Sequence, residues 1–308
     1  MGAAAEGRAC LAYFGSMGRH ADLATPPPAL EAVRGRVDAA LEAFLADERR
    51  ELEGFDPSAA DLVDELARLV SAGGKRIRPA FCYWGYRTAG GEDGEPIVRA
   101  AAALEMLHTF ALIHDDVMDE DVERRGAPTT HARFANEAGE GFGWSVAVLA
   151  GDLAAVLAER LLRTSGFPAE RLEAAFERFD RMRVEMAAGQ YLDLRGAQRE
   201  GADSTLHVAE LKTGSYTVEG PLAIGAALAG APEEVQARLL AYARPAGEAF
   251  QLRDDVLDEG EDRAHGVTAA HVNGLLAQAC EALGGRGLDP VGVAVLRSLA
   301  EALRLTEP

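Results

Sequence analysis

The chain has 308 residues, of which 48% are hydrophobic and 26% charged, a composition typical of a globular protein with a substantial core. Its formal net charge of −19 would repel a nucleic-acid backbone, so we predict no nucleic-acid partner. Three widely separated cysteines predict neither a disulfide framework nor a metal site. The mean hydropathy is −0.07, and Asp152 interrupts the most apolar stretch, residues 144–158. These features predict a cytoplasmic protein without a transmembrane segment.

Residues 1–28 are rich in alanine and glycine and end in three prolines, which predicts a flexible leader. From residue 29 onward, apolar residues recur at spacings of three and four, as in Val33, Val37 and Leu41. No repeat and no change in composition marks a second domain, so the sequence predicts one all-α domain over residues 29–308. Glycine and proline divide it into nine predicted helices, at 29–53, 59–72, 75–89, 96–120, 142–164, 168–195, 204–229, 232–258 and 268–306.

An aspartate pair lies near the end of the helix predicted over residues 96–120. Asp115 and Asp119 are four residues apart, so on a helix their carboxylates share a face, with Cβ atoms roughly 5–6 Å apart. Oxygen ligands at that separation suit Mg²⁺, which takes its remaining ligands from waters and substrate phosphates. Taken alone, the motif is more simply interpreted as a solvated helix end, because the whole chain is acidic.

The same pattern recurs at residues 254–258, with the sequence DDVLD, on another predicted helix. Two such motifs on the polar edges of apolar helices are hard to explain as surface charge. Facing each other across a bundle, they would repel strongly unless several cations lay between them. A diphosphate held by a small cluster of Mg²⁺ ions would satisfy that arrangement.

Basic residues lie next to the first motif and ahead of it in the chain. Residues 73–79, GGKRIRP, place three cations behind a glycine pair at a predicted helix start, where free N–H groups favour an anion. Arg124 and Arg125 follow the first aspartate motif, and guanidinium groups bind phosphate oxygens bidentately. Of the 31 basic side chains in the chain, only Lys75 and Lys212 are lysines. The alternative for each motif is scattered surface charge.

The order of these motifs resembles the trans-isoprenyl diphosphate synthases of the polyprenyl synthetase family, and within it the geranylgeranyl and farnesyl diphosphate synthases. Both lysines fall within matching motifs. The resemblance implies a single large helical bundle around a central elongation cavity, and a homodimer. The matching segments are GGKRIRP (73–79), LEMLH (104–108), DDVMD (115–119), RRG (124–126), LAGDL (149–153), GQYLD (189–193), KTG (212–214) and FQLRDDVLD (250–258).

The resemblance also implies two diphosphate pockets and three Mg²⁺ ions. Arg124 and Lys212 would hold the allylic diphosphate. Isopentenyl diphosphate would be bound, without metal, by Lys75, Arg78, His108 and Arg125. The metal residues would be Asp115, Asp119 and Asp254 as direct ligands, and Asp116, Asp255 and Asp258 would support them through waters.

The chemistry implied by the family is ionisation of the allylic C–O bond, followed by attack of the isopentenyl alkene. Backbone carbonyls of Lys212 and Thr213 and the amide oxygen of Gln251 would stabilise the allylic carbocation. Released diphosphate would remove the proton. Phe110, five residues before Asp115, would lie roughly 7.5 Å along the helix axis and form the floor of the cavity that sets product length. The alternative for Phe110 is ordinary core packing.

The chain departs from the family pattern after the second aspartate motif. The family normally has a glycine-rich loop and a helix with further lysines there, whereas no lysine follows Lys212 in this chain. Compared with the family pattern, the sequence is short of one segment near residues 259–266. Either the protein lacks it, or residues are absent from the chain at this point. We favour the second alternative and predict a backbone break between Asp258 and Val267.

From the motifs together we predict a Mg²⁺-dependent prenyltransferase that condenses isopentenyl diphosphate with allylic diphosphates to a C15–C20 product, mainly geranylgeranyl diphosphate. One alternative is a class I terpene cyclase on the same fold, which would need no isopentenyl pocket. The other is a non-catalytic subunit of a heteromeric synthase, which the shortened segment keeps open.

Overall fold

The helical periodicity of the sequence gives eleven α-helices in the part of the chain that the structure describes. The structure is a computed structural model that describes residues 28–196, 216–259 and 268–306. The helices are α1 (Pro28–Phe55), α2 (Ala60–Ser71), α3 (Ile77–Thr88), α4 (Glu95–Met118), α5 (Thr130–Ala138), α6 (Glu140–Arg163), α7 (Ala169–Gly196), α8 (Gly220–Ala229), α9 (Glu233–Glu259), α10 (Ala269–Ala282) and α11 (Pro290–Ala302).

Two short elements accompany the helices. A 3₁₀ turn, Pro57–Ala59, precedes α2, and residues 216–219 form a π-helical turn before α8. Strands β1 (Glu123–Arg124) and β2 (Ala127–Pro128) pair antiparallel. We call the segment Glu123–Pro128 the RRG hairpin. The all-α fold class is confirmed, since these two-residue strands are the β-structure of the described residues.

Several boundaries and elements differ from the sequence prediction. The predicted helix 268–306 is two helices, because Gly285 and Gly287 adopt positive φ angles of 93° and 95° and end the helical path. Asp289 then caps α11 by accepting a hydrogen bond from the Gly292 N–H at 2.9 Å. Helix α5 and the RRG hairpin were not predicted. The predicted backbone break between Asp258 and Val267 concerns residues 260–267, which lie outside the described residues.

The chain divides into two compact units. The first contains Val33–Pro79 and Val98–Gly166, and therefore most of α1 and α4, all of α2, α5 and α6, and the RRG hairpin. The second contains Ala80–Ile97 and Phe167–Pro308, with most of α3 and helices α7 to α11. A single domain over residues 29–308 stays a prediction.

Glycines allow helices to approach closely within each unit. In the first unit a Cβ on Gly143 of α6 would overlap the His131 carbonyl oxygen of α5 and lie 2.8 Å from the Ala135 nitrogen. In the second unit a Cβ on Gly85 of α3 would lie 2.6 Å from the Leu222 carbonyl oxygen of α8. Residues with a Cβ atom are therefore excluded at these two positions, where the helix backbones meet.

Helices α4 and α6 are long and apolar enough, by length and composition, to cross a membrane. The most apolar window of α4 is 67% buried inside the protein and that of α6 is 44% buried. Core helices of water-soluble proteins meet the same length and hydropathy criteria, so these two helices are weak evidence for a membrane span. The exposed side of α6 carries large apolar residues, which are considered below.

Candidate active site

The first aspartate pair lies at the carboxyl end of α4, as the sequence predicts. The Asp119 N–H donates to the Asp115 carbonyl oxygen at 2.8 Å, so the helical hydrogen bonding continues to Asp119 and both side chains share one face. Asp115 is 3% exposed. This pair of oxygen donors fits Mg²⁺ by its chemistry. The described residues contain no group of three or more His, Cys, Asp or Glu side chains placed to hold a metal ion.

Asp116 lies on a different face from Asp115. It is 2% exposed, and its Oδ1 accepts a hydrogen bond from Arg124 Nε at 2.5 Å. Burial raises the pKa of Asp116 to about 6, against the opposing effect of Arg124. In this structure the Asp116 carboxylate therefore orients Arg124, one residue along the helix from the predicted metal pair.

The RRG hairpin presents two arginines with different partners. Arg124 in β1 is held by Asp116, and Arg125 at the tip donates to the Gly73 carbonyl oxygen. The turn has positive φ at both central residues, 54° at Arg125 and 75° at Gly126, as type I′ turns require. A left-handed arginine costs roughly 1–2 kcal/mol, so surrounding contacts must hold the tip in place.

The Arg124 guanidinium keeps one donor open. Its Nη2 is buried and donates a hydrogen bond to no described residue, and Asp121 Oδ2 lies 3.8 Å from it. A buried N–H without an acceptor is costly. An anionic oxygen at this position would satisfy it.

The cations of the GGKRIRP loop differ in their surroundings, because one lies in the protein core and two lie nearer the surface at the candidate site. Arg76 is 4% exposed and has a positive φ of 52°. It donates to Asp38 at 2.7 Å, to Glu105 at 2.6 Å and to the Val70 carbonyl oxygen at 2.7 Å. The three cations of this loop are therefore not equivalent, because Arg76 turns inward whereas Lys75 and Arg78 are only half-buried.

Glu105 of α4 joins this loop to the RRG hairpin. It is 7% exposed, and a Cβ built on Gly74 would lie 3.6 Å from its Oε1 and 3.8 Å from Arg125 Nη1. Partial desolvation and the charges of neighbouring arginines lower the pKa of Arg125, while Glu105 opposes that shift. One carboxylate thus offsets part of the positive charge that two loops bring together.

His108 lies within the field of this cationic cluster. Desolvation inside the fold, followed by the charges of Arg78, Arg125, Arg124 and Arg76, holds the pKa of His108 well below its ordinary value. The imidazole is therefore neutral at physiological pH. A neutral ring donates one hydrogen bond, so it can contribute to an anion site without adding charge.

Phe110 packs on the His114 side of α4. The two ring centroids are 4.8 Å apart in an edge-to-face arrangement. His114 Nε2 lies 3.3 Å from the Val148 carbonyl oxygen of α6, and a Cβ on Gly151 would overlap the His114 ring. Phe110 thus belongs to a packed contact between α4 and α6.

The remaining predicted residues belong to the second unit or lie outside the described part of the structure. Gln251 of α9 is 8% exposed. The side chain of Asp254 and the whole of Lys212 and Thr213 lie outside the described residues. Their predicted roles stay predictions.

Sequence reasoning missed two buried carboxylates beside the site, Glu65 and Glu105. Glu65 is fully buried and Glu105 is 7% exposed. Both lie on a helix among apolar residues, and Glu65 occupies a position between Leu62 and Leu69 where the helical period favours an apolar residue. A charge in an apolar stripe was the available signal, because such residues are buried when partners satisfy them.

The all-α fold, the aspartate pair and the two cationic loops define a helical protein with a candidate diphosphate and metal site. Residues 60–266 match the family model described as polyprenyl synthetase, and the chain belongs to that family. The resemblance inferred from the motifs is thereby confirmed.

Two relatives illustrate the similarity. The chain is 31% identical over 276 residues to a short chain isoprenyl diphosphate synthase from Methanothermobacter thermautotrophicus, covering 85% of this chain and 82% of that protein. It is 36% identical over 195 residues to the geranylfarnesyl diphosphate synthase of Aeropyrum pernix, covering 61% of this chain. The match spans 58% of the length of the Aeropyrum protein, less than two thirds.

A solved structure has the same fold. The geranylgeranyl pyrophosphate synthase of Corynebacterium glutamicum, complexed with isoprenyl diphosphate and magnesium, aligns with a TM-score of 0.78 and 29% identity. The alignment covers 89% of this chain and 98% of that one.

Proposed function

We propose that this protein is a Mg²⁺-dependent prenyltransferase that condenses isopentenyl diphosphate with allylic diphosphates to give a C15–C20 polyprenyl diphosphate, mainly geranylgeranyl diphosphate. The observation that carries the proposal is the convergence, in one unit, of an aspartate pair with two arginine-bearing loops. The buried Arg124 Nη2 donor beside Asp116 is suited to a phosphate oxygen. Carboxylates for a metal and guanidinium groups for a diphosphate are the two requirements of this chemistry.

The two substrates would use different groups. In this proposal isopentenyl diphosphate is bound without a metal ion. Its diphosphate accepts hydrogen bonds from the cationic Lys75, Arg78 and Arg125 and from the neutral His108. Arg124, held by Asp116, orients the allylic diphosphate together with Lys212. The neutral state of His108 supports its role as a hydrogen-bond donor.

The metal would be held by Asp115 at the end of α4, by Asp119 just after it and by Asp254 of α9, with three Mg²⁺ ions per active site. Mg²⁺, when bound, supplies positive charge that stabilises the departing diphosphate. The relative from Corynebacterium that was crystallised with magnesium supports this metal. Lys212, Thr213 and Gln251 would then face the allylic carbocation with oxygen dipoles that do not react with it.

We also infer a cytoplasmic homodimer. Helix α6 exposes Phe142 at 44%, Trp144 at 50% and Leu149 at 56%. Val148 and Val156 are exposed along the same helix at 45% and 55%. Large apolar residues concentrated on one helix favour a protein partner, and a second copy of the chain is the partner that the family resemblance implies.

The decisive experiment incubates the purified protein with Mg²⁺, labelled isopentenyl diphosphate and one allylic primer at a time. Chromatography of the dephosphorylated alcohols then sizes the products. We expect a prenyl alcohol of twenty carbons, formed only when both substrates and Mg²⁺ are present. A cyclic hydrocarbon formed from an allylic diphosphate alone would instead identify a terpene cyclase. A lack of any product with every primer would contradict the proposal and favour a non-catalytic subunit.

A further inference from the structure

We propose that Glu65 and Arg68 of α2 form a clamp that positions the RRG hairpin, and hence Arg124 and Arg125, for diphosphate binding. We call this pair the Glu65–Arg68 clamp. The inference rests on the proposed function in one respect, since it assigns the two hairpin arginines to diphosphate. Its structural part, the fixing of the hairpin, is independent of any activity.

Glu65 is a fully buried carboxylate surrounded by donors. Arg68 donates to it twice, from Nε at 2.9 Å and from Nη2 at 2.6 Å. The Thr130 hydroxyl donates at 2.8 Å, and Arg133 Nη1 donates as well. Although burial raises the pKa of Glu65, these hydrogen bonds outweigh it and lower the pKa, so the carboxylate is ionised.

The clamp reaches the hairpin at its base. Arg68 Nη2 also donates to the Pro128 carbonyl oxygen at 3.2 Å, at the end of strand β2. Two residues after Pro128, the hydroxyl of Thr130, the first residue of α5, donates a hydrogen bond to Glu65. Between them the Thr129 N–H donates to the Val122 carbonyl oxygen at 3.1 Å and closes the hairpin. One buried carboxylate therefore fixes the chain on the carboxyl-terminal side of the hairpin.

Arg68 lines the same cavity as Arg124 and Arg125, and two of its three guanidinium nitrogens, Nε and Nη2, are committed to Glu65 and Pro128. Its charge is partly offset by the ionised Glu65, which also accepts a hydrogen bond from Arg133. In the proposed clamp Arg68 fixes the hairpin, whereas the two hairpin arginines supply the binding groups.

A role beyond stability follows from the cost of burying ions. Buried ion pairs contribute little net stability compared with apolar residues, and their best-attested use is to fix one arrangement among several. The hairpin needs such fixing, because Arg125 at its tip is held in an unfavourable left-handed conformation. A displacement of the base of the hairpin would also displace Arg124 and Arg125.

The test compares Glu65→Gln with Arg68→Lys and with a matched control, Glu48→Gln. Glu48 is also a buried carboxylate, 5% exposed, and pairs with Arg160 far along the chain, without contact to the hairpin. Arg68→Lys keeps the charge but cannot span Glu65 and Pro128 with a planar fork. It remains informative if Glu65→Gln fails to fold.

The first readout is amide hydrogen exchange of residues 122–129 in the full chain without substrates. We expect exchange of these amides to accelerate about tenfold in Glu65→Gln and Arg68→Lys, and to remain at the wild-type rate in Glu48→Gln. Unchanged protection in both clamp variants, or equal acceleration in the control, would overturn the clamp.

The second readout is steady-state kinetics of the condensation. We expect KM for the diphosphate substrates to rise roughly tenfold in both clamp variants, with kcat within about twofold of wild type, because a displaced arginine weakens binding. A fall in kcat with unchanged KM would overturn the assignment to diphosphate binding. Wild-type protein without turnover would overturn the proposed function instead, and the exchange measurement would still decide whether the clamp fixes the hairpin.

Discussion

Asp115 and Asp116 are adjacent in the chain but belong to different surroundings. Successive helical residues point about 100° apart, so Asp115 shares the face of Asp119 whereas Asp116 turns toward Arg124. Asp115 therefore lies on the face of the predicted metal pair, whereas Asp116 is hydrogen-bonded to an arginine. Replacing one or the other should affect the reaction for different reasons.

Replacing Asp115 by Asn keeps the shape of the side chain and removes the charge that Mg²⁺ requires. We expect kcat of the condensation to fall by about 10²-fold or more, with an unchanged thermal midpoint, because an ionic ligand contributes to the reaction rather than to folding. Steady-state assays at saturating Mg²⁺ measure the first quantity and calorimetry the second. The exposed Asp64, paired with Arg49, supplies the control Asp64→Asn, which should retain wild-type turnover. Near wild-type turnover in Asp115→Asn would contradict its role as metal ligand.

His108 predicts a pH dependence of stability. Its pKa in the folded protein is lowered, so below the unfolded value of about 6.5 the unfolded chain binds a proton that the folded protein does not. Stability is therefore lost as the pH falls. We expect His108→Gln to reduce this loss between pH 7.5 and pH 5.5 by up to about 1.4 kcal/mol, the limit for one group that is protonated only in the unfolded chain.

Urea denaturation of wild type and variant at several pH values isolates the contribution of His108, because the other titrating groups cancel in the difference. His131, whose pKa is also lowered by burial, is among the groups that cancel. Parallel stability curves for the two proteins would mean that His108 titrates normally in the fold.

Phe110 is expected to limit product length. Truncation to Ala removes the ring that packs against His114 and opens space along α4, so we expect longer products, with Leu107 as the next barrier. The length of the dephosphorylated alcohols is the measurement. If Phe110 is only core packing, Phe110→Ala will cost about 3–5 kcal/mol of stability and leave the product distribution unchanged.

The contact between α4 and α6 depends on a glycine, which has no side chain. Gly151 of α6 leaves room for the His114 ring, which also meets the Phe110 ring edge to face. His114 immediately precedes Asp115. Packing between these two helices therefore borders the metal pair.

Gly151→Ala should destabilise the protein by about 1–3 kcal/mol, because the added methyl group overlaps the His114 ring and forces it to shift. Gly141→Ala, in the same helix, is the matched control. A Cβ at Gly141 meets nothing within 4 Å, so this change should stabilise α6 by up to about 1 kcal/mol. Thermal denaturation measures both, and equal effects of the two substitutions would show that the His114 contact is unimportant.

The sequence predicted the long helices better than the connections between them. Apolar spacing identifies α1 or α4 within two residues at either end, since the period extends over many turns. Helix α5 is only nine residues long and directly follows the hairpin, so its period is too short to be distinguished from a loop. The RRG motif contains a glycine typical of a turn, yet the left-handed Arg125 has no sequence marker.

The same limit applies to the candidate site. Motif spacing placed Asp115 and Asp119 on one face, because helix geometry alone determines that relation. It could not tell that Arg76 turns inward, since in a loop the direction of a side chain depends on partners distant in sequence. For Arg76 those partners are Asp38 and Glu105.

At the scale of the whole molecule, the exposed apolar residues of α6 predict a homodimer. Leu149→Arg should place a charge in the proposed interface and yield monomers, because desolvating an unpaired arginine is costly. Size-exclusion chromatography with light scattering gives the mass. Val291 of α11 is similarly exposed, at 57%, so Val291→Arg is the control and should leave the dimer intact. Dimers of normal mass in Leu149→Arg would exclude this surface.

The two-residue turn of the RRG hairpin has a consequence for how the chain can change in length. One residue inserted into the turn would shift the register of β1 against β2, so the side chains of β2 would point to the opposite face of the hairpin. Arg124 and Arg125 would then lose their present neighbours. The connection between α10 and α11 contains no paired strands, but Arg238 donates to the carbonyl oxygens of Gly284 and Arg286, so its length is constrained as well. Residues 122–129 are expected to keep a constant length among relatives, and a change of length at residues 284–288 is expected to cost the two Arg238 hydrogen bonds.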